Sequence, residues 1–410
     1  MKTIETLAHI LFLSIIIAPN CMFYASANIM SDLLKQFFQS EQVVQLAFSL
    51  ISIPSIFSIV TISLMIDAFS TVYIFPILQF ICCIGTLLTA ISDPAHSQAL
   101  YLIGRFMYGI AGECTLTSQS KIISKIIPQQ FHSMAYSIAF CFYMLGEAIA
   151  GWVLPIQNSL QKSMYFVLGL QVFGLMGAIF YSFYIKIKGK QNVTKEQLII
   201  QVAEAEIQQA QSKSTCQELF SSLKQLKLPY FLLLIARIAY TCAKSTYDTR
   251  SVSAFQEQLN VSKDKAVKFV VSQSITSAVS FIFFSIVSVF MQKSQYLVLF
   301  GAIVVSAAYL VFTLSTNIAV GYTTSILIGI SFGAFASNAS ALLVKLAGKS
   351  LGASALGIVF SVQYLIMSGM IPLAEYIGQF GEYINGWIYF GLALLCIVLL
   401  VIIIQKWVGW

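Results

Sequence analysis

Apolar stretches of membrane-crossing length recur along the whole chain, and no other feature limits its fold so strongly. A crossing helix takes about 20 mainly apolar residues. Stretches of that kind are centred near Ile16, Pro54, Cys82, Ala111, Met144, Phe173, Ala239, Ala278, Val305, Gly329, Gln363 and Leu395, about twelve in all. With 58% hydrophobic and 10% charged residues among 410, a soluble fold could not hide the apolar surface. Inside lipid each backbone polar group must be satisfied within its own segment, so the spans are expected to be helices. The fold class is an all-α membrane protein of about twelve transmembrane helices in two six-helix halves.

One polar stretch, residues 186–227, interrupts the rhythm and separates six spans from six. It sets the expected organisation: an N-terminal half over residues 1–185, a linker over 186–227 and a C-terminal half over 228–410. Within the linker, residues 197–211 read as a short amphipathic surface helix carrying Leu198, Val202 and Ile207. Basic residues give the orientation. With the N-terminus in the cytosol, fourteen lysines fall at cytosolic ends and loops, including Lys186, Lys188 and Lys190, against six Lys and Arg on the other side. Both termini and the linker are therefore expected in the cytosol. The apolar stretch from Leu7 reads as the first span rather than a signal peptide, because many more follow it. The formal charge of +7 reflects topology, and no basic run points to nucleic acid.

Ionisable residues inside these spans carry the functional argument. A charge at bilayer depth costs roughly 2.5–3.5 kcal/mol on insertion scales, so such residues usually face a bundle interior or a watery cavity. Arg105 and Glu113 lie in the fourth span, in the run GRFMYGIAGE over residues 104–113. Arg105, Gly109, Gly112 and Glu113 share one broad helix face at about 3.6 residues per turn, and the glycines allow close helix approach. Glu113 falls near mid-span, where transporter sites lie. The pair reads either as substrate and gating contacts or as a structural network. Glu147 sits in the fifth span among Gly146, Ala148, Ala150 and Gly151. It could hold a cationic group or pair with Arg105 or Arg237.

The seventh span holds Arg237, Tyr240, Lys244, Tyr247 and Asp248. The first four recur as one stripe, too polar to face lipid. Arg237 is near mid-depth and could hold a carboxylate through its two-pronged guanidinium or serve in structural pairing. Lys244 and Asp248 lie nearer the end of the span and read as gate residues or as a local pair. Asn338, Gln363 and Tyr364 are weaker polar candidates, and Glu375 reads as solvated. His9, His96 and His132 all fall near span ends. Asn260-Val261-Ser262 is a glycosylation acceptor pattern on the non-cytosolic side, and Asn192-Val193-Thr194 falls in the linker.

Six spans, a basic linker and six more spans resemble the layout of the major facilitator superfamily, whose halves rock about a central site. The run GRFMYGIAGE with Thr115, Ser118 and Gln119 is similar to a stretch of that superfamily's lysosomal dipeptide transporter branch (major facilitator superfamily domain-containing protein 1-like). The tract over residues 134–155 aligns with the same branch, and Ile66-Asp67 resembles the branch's end to its second span. The resemblance covers about the first 155 residues. It implies dipeptide export by uniport from a lysosomal or vacuolar membrane, a homodimer and a glycosylated accessory membrane protein. By residue match it places Glu113 at the branch's substrate-binding glutamate. One departure stands out. The branch carries an arginine in the fifth span where this chain has Met144, with Glu147 three residues on.

The expected function is transport of a small zwitterionic or cationic solute, with Glu113 and Glu147 facing an amine and Arg237 facing a carboxylate. Arg105, Lys244, Asp248 and Asp67 would gate or tie helices together. Transport of a sugar, organic anion or drug on the same fold is the alternative, at a plasma membrane or an organelle. A non-transporting scaffold is the other; it would have its intramembrane charges fully paired and no central cavity. There is no P-loop, zinc motif or nucleophile elbow, so neither a cofactor nor enzymatic activity is expected. Seven cysteines in apolar segments, without ligand spacing, read as small hydrophobes rather than as metal ligands or disulfides.

Overall fold

Helices fill nearly all of the chain that the computed structural model describes, namely residues 2–40, 43–68, 71–126, 132–191, 227–291, 293–347 and 352–406. The first half comprises α1 (Lys2–Ile29), the short α2 (Ser31–Phe38), α3 (Val43–Ala68), α4 (Thr71–Ser92), α5 (Gln98–Ile126), α6 (His132–Ile156) and α7 (Leu160–Gln191). The second comprises α8 (Leu228–Leu259), α9 (Lys263–Met291), α10 (Ser294–Leu314), α11 (Ile318–Ala347), α12 (Gly352–Gly378) and α13 (Glu382–Lys406). The expected linker helix over 197–211 and the sequon at Asn192 lie outside the described residues, while α7 itself runs on past residue 185 to Gln191.

Ten of these helices are long and apolar enough to cross a membrane. Two others of matching length, α5 and α8 at 29 and 32 residues, carry Arg105, Glu113, Arg237, Lys244 and Asp248. Their charges are accommodated because neighbouring helices surround them, as the burial of Arg105 and Arg237 shows. The start of α8 is set by Lys227 in an extended conformation with a proline in the first turn, where a missing N–H costs nothing.

Two large apolar clusters are each centred on one half and reach across to the other. One gathers Phe23, Phe48, Tyr101 and Met164 from α1, α3, α5 and α7. The other gathers Phe255, Phe269, Tyr309, Phe335 and Tyr389 from α8–α11 and α13. Small residues set how closely helices approach. A β-carbon on Gly109 would lie 2.7 Å from the Pro54 ring and 2.8 Å from the Ile51 Cα, so α3 crosses α5 backbone to backbone. Gly146 gives α6 the same freedom against the Ala18 carbonyl of α1.

The halves meet along two seams, α6 against α9 and α3 against α12. In the first, Phe140 stacks on Phe281 at 5.4 Å between ring centres. In the second, the Ser361 hydroxyl donates to the Ile56 carbonyl at 2.5 Å. The seven cysteines Cys21, Cys82, Cys83, Cys114, Cys141, Cys242 and Cys396 are buried and free.

Candidate solute site between the halves

Between the seams lies a cavity of about 130 Å³ walled by both halves. From the first half come Tyr24, Asn28, Glu113, Tyr143 and Glu147; from the second come Arg237, Thr241, Lys244, Asp248, Gln363 and Tyr364. The cavity therefore brings together three residues that the sequence singled out as substrate contacts and two that it singled out as gates.

Glu113 is the sixteenth residue of α5, near its middle. Its carboxylate neighbours the Tyr364 hydroxyl of α12, a contact that crosses the halves. Arg105 is not its partner. The Arg105 guanidinium is fully buried and turned toward α1. It donates to the Phe23 carbonyl at 3.0 Å, to the Ser26 hydroxyl at 2.7 Å and to the Tyr101 hydroxyl at 3.1 Å. Its carbon centre lies 4.4 Å above the Phe23 ring. Sequence spacing placed Arg105 and Glu113 on one face, but they serve different neighbours. Asp67 falls at the end of α3, and its side chain lies outside the described residues.

Glu147 pairs with neither Arg105 nor Arg237. It neighbours the Ser274 hydroxyl of α9, which donates to the Val270 carbonyl at 3.1 Å, and sits within electrostatic reach of Lys244 and Asp248. Lys244 forms an ion pair with Asp248 one turn on and rests 4.0 Å above the Phe332 ring. The other Asp248 oxygen accepts from the Gln273 amide at 2.8 Å. The Asp248 carbonyl accepts from Asn28 of α1 at 2.8 Å, and the same amide reaches the Ser251 hydroxyl at 3.3 Å. Asp248 thus joins the cavity wall to a contact between halves.

Arg237 is 3% exposed. It donates to the Ser340 hydroxyl at 2.6 Å and lies 5.0 Å from the Phe360 ring centre. Its Nε has no acceptor, and no carboxylate among the described residues pairs with it. The expected single stripe on α8 divides. Arg237, Thr241, Lys244 and Asp248 face the cavity, whereas Tyr240 and Tyr247 turn into their own half. Tyr240 stacks on Phe335 at 3.7 Å and bonds the Ser331 hydroxyl at 2.7 Å. Tyr247 packs among Phe255, Tyr309 and Tyr389.

Glu375, expected to be solvated, instead joins a buried cluster. Arg250 makes ion pairs with Glu375 and with Glu382, and its Nε donates to Glu382 at 3.0 Å. Asn385 completes the shell by donating to the other Glu382 oxygen at 3.1 Å. Of the weaker candidates, Gln363 and Tyr364 reach the cavity, while Asn338 is buried and donates to the Ala334 carbonyl at 2.9 Å. His9 packs on Tyr181 and Tyr184, His132 neighbours Tyr136, and His96 occupies a turn with φ of 47°.

Sequence reasoning missed Asn28, Thr241 and Ser274. Each is an uncharged polar residue in a span, a type that most often bonds its own helix, so only the identity of the neighbouring helix distinguishes these three. Among metal-binding side chains, the described residues hold no group of three or more arranged to bind an ion.

The description of the Major Facilitator Superfamily matches residues 11–372. Solved structures agree over almost the whole length. A transporter of that superfamily, FucP, crystallised in the outward conformation, superimposes with a TM-score of 0.65 at 13% identity, covering 95% of this chain and 98% of the other. A point variant of the E. coli fucose:proton symporter FucP gives 0.64 at 12% identity with the same coverage. No curated protein sequence matches the chain.

Proposed function

Because the chain belongs to the Major Facilitator Superfamily and is a multi-pass membrane transporter of a small solute, we propose that its solute is a zwitterion, with a dipeptide the leading candidate. The observation that carries this reading is Arg237. An arginine stays charged even when buried, and an uncompensated buried charge is strongly disfavoured. Here the guanidinium borders a cavity with one hydroxyl partner, one aromatic neighbour and an Nε still free to donate. A substrate carboxylate would satisfy it.

Across the cavity, Glu113 and Glu147 each have a neutral polar neighbour and are suited to an ammonium group. Lys244 and Asp248 already neutralise one another. The charges left for the solute are therefore acidic on the first half and basic on the second. A zwitterion bridging them would draw the halves together, which suits alternating access. Arg105 is assigned a structural role, tying α5 to α1.

Dipeptide export by uniport across a lysosomal or vacuolar membrane follows from the resemblance around residues 104–113. The homodimer and glycosylated accessory partner rest on the same resemblance. Sugar transport is the second reading. It is favoured by the neutral polar groups Asn28, Tyr24 and Gln363 on the cavity wall and by the fucose symporter's shared fold.

Thermal unfolding of the purified protein separates the two. A ligand present at about 100 times its Kd adds about 2.7 kcal/mol to stability. Free dipeptides should raise the unfolding temperature, and C-terminally amidated ones should do so less. Stabilisation by hexoses or fucose with none by dipeptides would overturn the zwitterion reading.

A further inference from the structure

A second, larger cavity of about 570 Å³ opens at the end of the bundle where α1 finishes and α9 begins. Its polar wall is contributed by both halves: Asp32 and Asn158 from the first, Lys263, Asp264 and Lys268 from the second. Ile29 lines both this cavity and the central one, so the two adjoin. Lys263 bridges the halves to Asp32 at 2.8 Å. Asp264 and Lys268 are exposed, and neither has an ion-pair partner among the described residues.

The geometry points to a second solute-binding site in this vestibule, one that takes the same zwitterionic class as the central cavity and hands it inward past Ile29. The inference rests on the zwitterion reading of the central site. Three observations support it. The vestibule offers one unpaired acid and one unpaired base, Asp264 and Lys268, a balance suited to a zwitterion. Its walls belong to both halves, so rocking must change its volume. Ile29 is the residue the two linings share, and the Asp32–Lys263 bridge beside it is partly exposed and so screened by solvent. The exposed apolar residues Trp152 and Ile156 on one wall make a phospholipid the rival occupant.

Equilibrium binding of a radiolabelled dipeptide to the full chain in detergent tests this. The wild type should show a tight class and a weak, salt-sensitive class of sites. Glu113→Gln should lose the tight class and keep the weak one. The double variant Asp264→Asn with Lys268→Gln should keep the tight class and weaken the weak one about threefold to tenfold, the effect of two exposed charge contacts. Both positions are exposed, so the double variant should fold. A single class in the wild type, or a weak class untouched by the double variant, would overturn the vestibule site alone. So would a weak class displaced by phosphatidylethanolamine headgroup and not by unlabelled dipeptide, which would identify a lipid groove. No dipeptide binding of either class would overturn the central zwitterion reading as well.

Discussion

Glu113 and Arg237 line one cavity from opposite halves, and neither has an oppositely charged partner among the described residues. Under the proposed zwitterion reading, unpaired charges of opposite sign on the two walls would give a bound solute a direct hold on the distance between the halves. The Lys244–Asp248 pair beside them is closed on itself. The cavity therefore separates charges available to a solute from charges already neutralised.

Arg105 has a different task, and its substitution should show it. Its three hydrogen bonds hold the α1 backbone at Phe23 and the side chains of Ser26 and Tyr101. Hydrogen bonds to charged groups are worth about 1.5–3 kcal/mol each. Arg105→Ala should lower the unfolding temperature and the yield of folded protein, and Arg105→Lys should recover part of the loss. Thermal unfolding of purified variants measures this. Wild-type stability with lost transport would instead make Arg105 a solute contact.

Asn28 donates two hydrogen bonds that join α1 to α8 across the halves. At about 1 kcal/mol each, their loss should shift the balance toward the separated form about tenfold or more. Asn28→Leu is therefore expected to speed the reaction of a cysteine placed at Ser245, on the cavity wall, with a membrane-impermeant maleimide. An unchanged labelling rate would show that these bonds do not hold the halves.

The twelve long helices were legible because lipid imposes one requirement on every span, and hydrophobic length reports it directly. That Glu113, Glu147 and Arg237 would face the interior was legible for the complementary reason: a charge inside such a span has few tolerable positions. Partnerships were not legible. Arg105 and Glu113 are eight residues apart, which turns them about 80° from one another on a helix, and that is enough to reach different neighbours. Tyr240 and Tyr247 sit about 60–80° from Arg237 and so enter their own half's core instead of the cavity. Glu375 looked solvated because Arg250, its ion-pair partner, lies on another helix and shares no sequence signal with it.

The Arg250–Glu382 pair is nearly inaccessible, with 5% and 2% of the side chains exposed. Removing one member of a buried pair costs about 3–5 kcal/mol, whereas replacing both by apolar residues often costs less. Arg250→Met leaves both Glu375 and Glu382 without this basic partner and should destabilise the protein strongly, and adding Glu382→Leu to it should recover part of the loss, whereas Glu382→Leu alone leaves Arg250 paired with Glu375. Thermal unfolding of the two single variants and the double variant measures this. Strictly additive losses would mean the two residues are not energetically coupled.

The central claim is that Arg237 holds the solute's carboxylate, and one comparison tests it most directly. Arg237→Lys keeps the positive charge and loses the two-pronged geometry. In proteoliposomes, uptake of a free dipeptide and of the same dipeptide amidated at its C-terminus should be measured for the wild type and this variant. The free dipeptide should lose a large part of its kcat/KM, and the amidated one, which has no carboxylate to place, should lose much less. Equal losses for the two substrates would contradict the account and leave Arg237 as a structural residue.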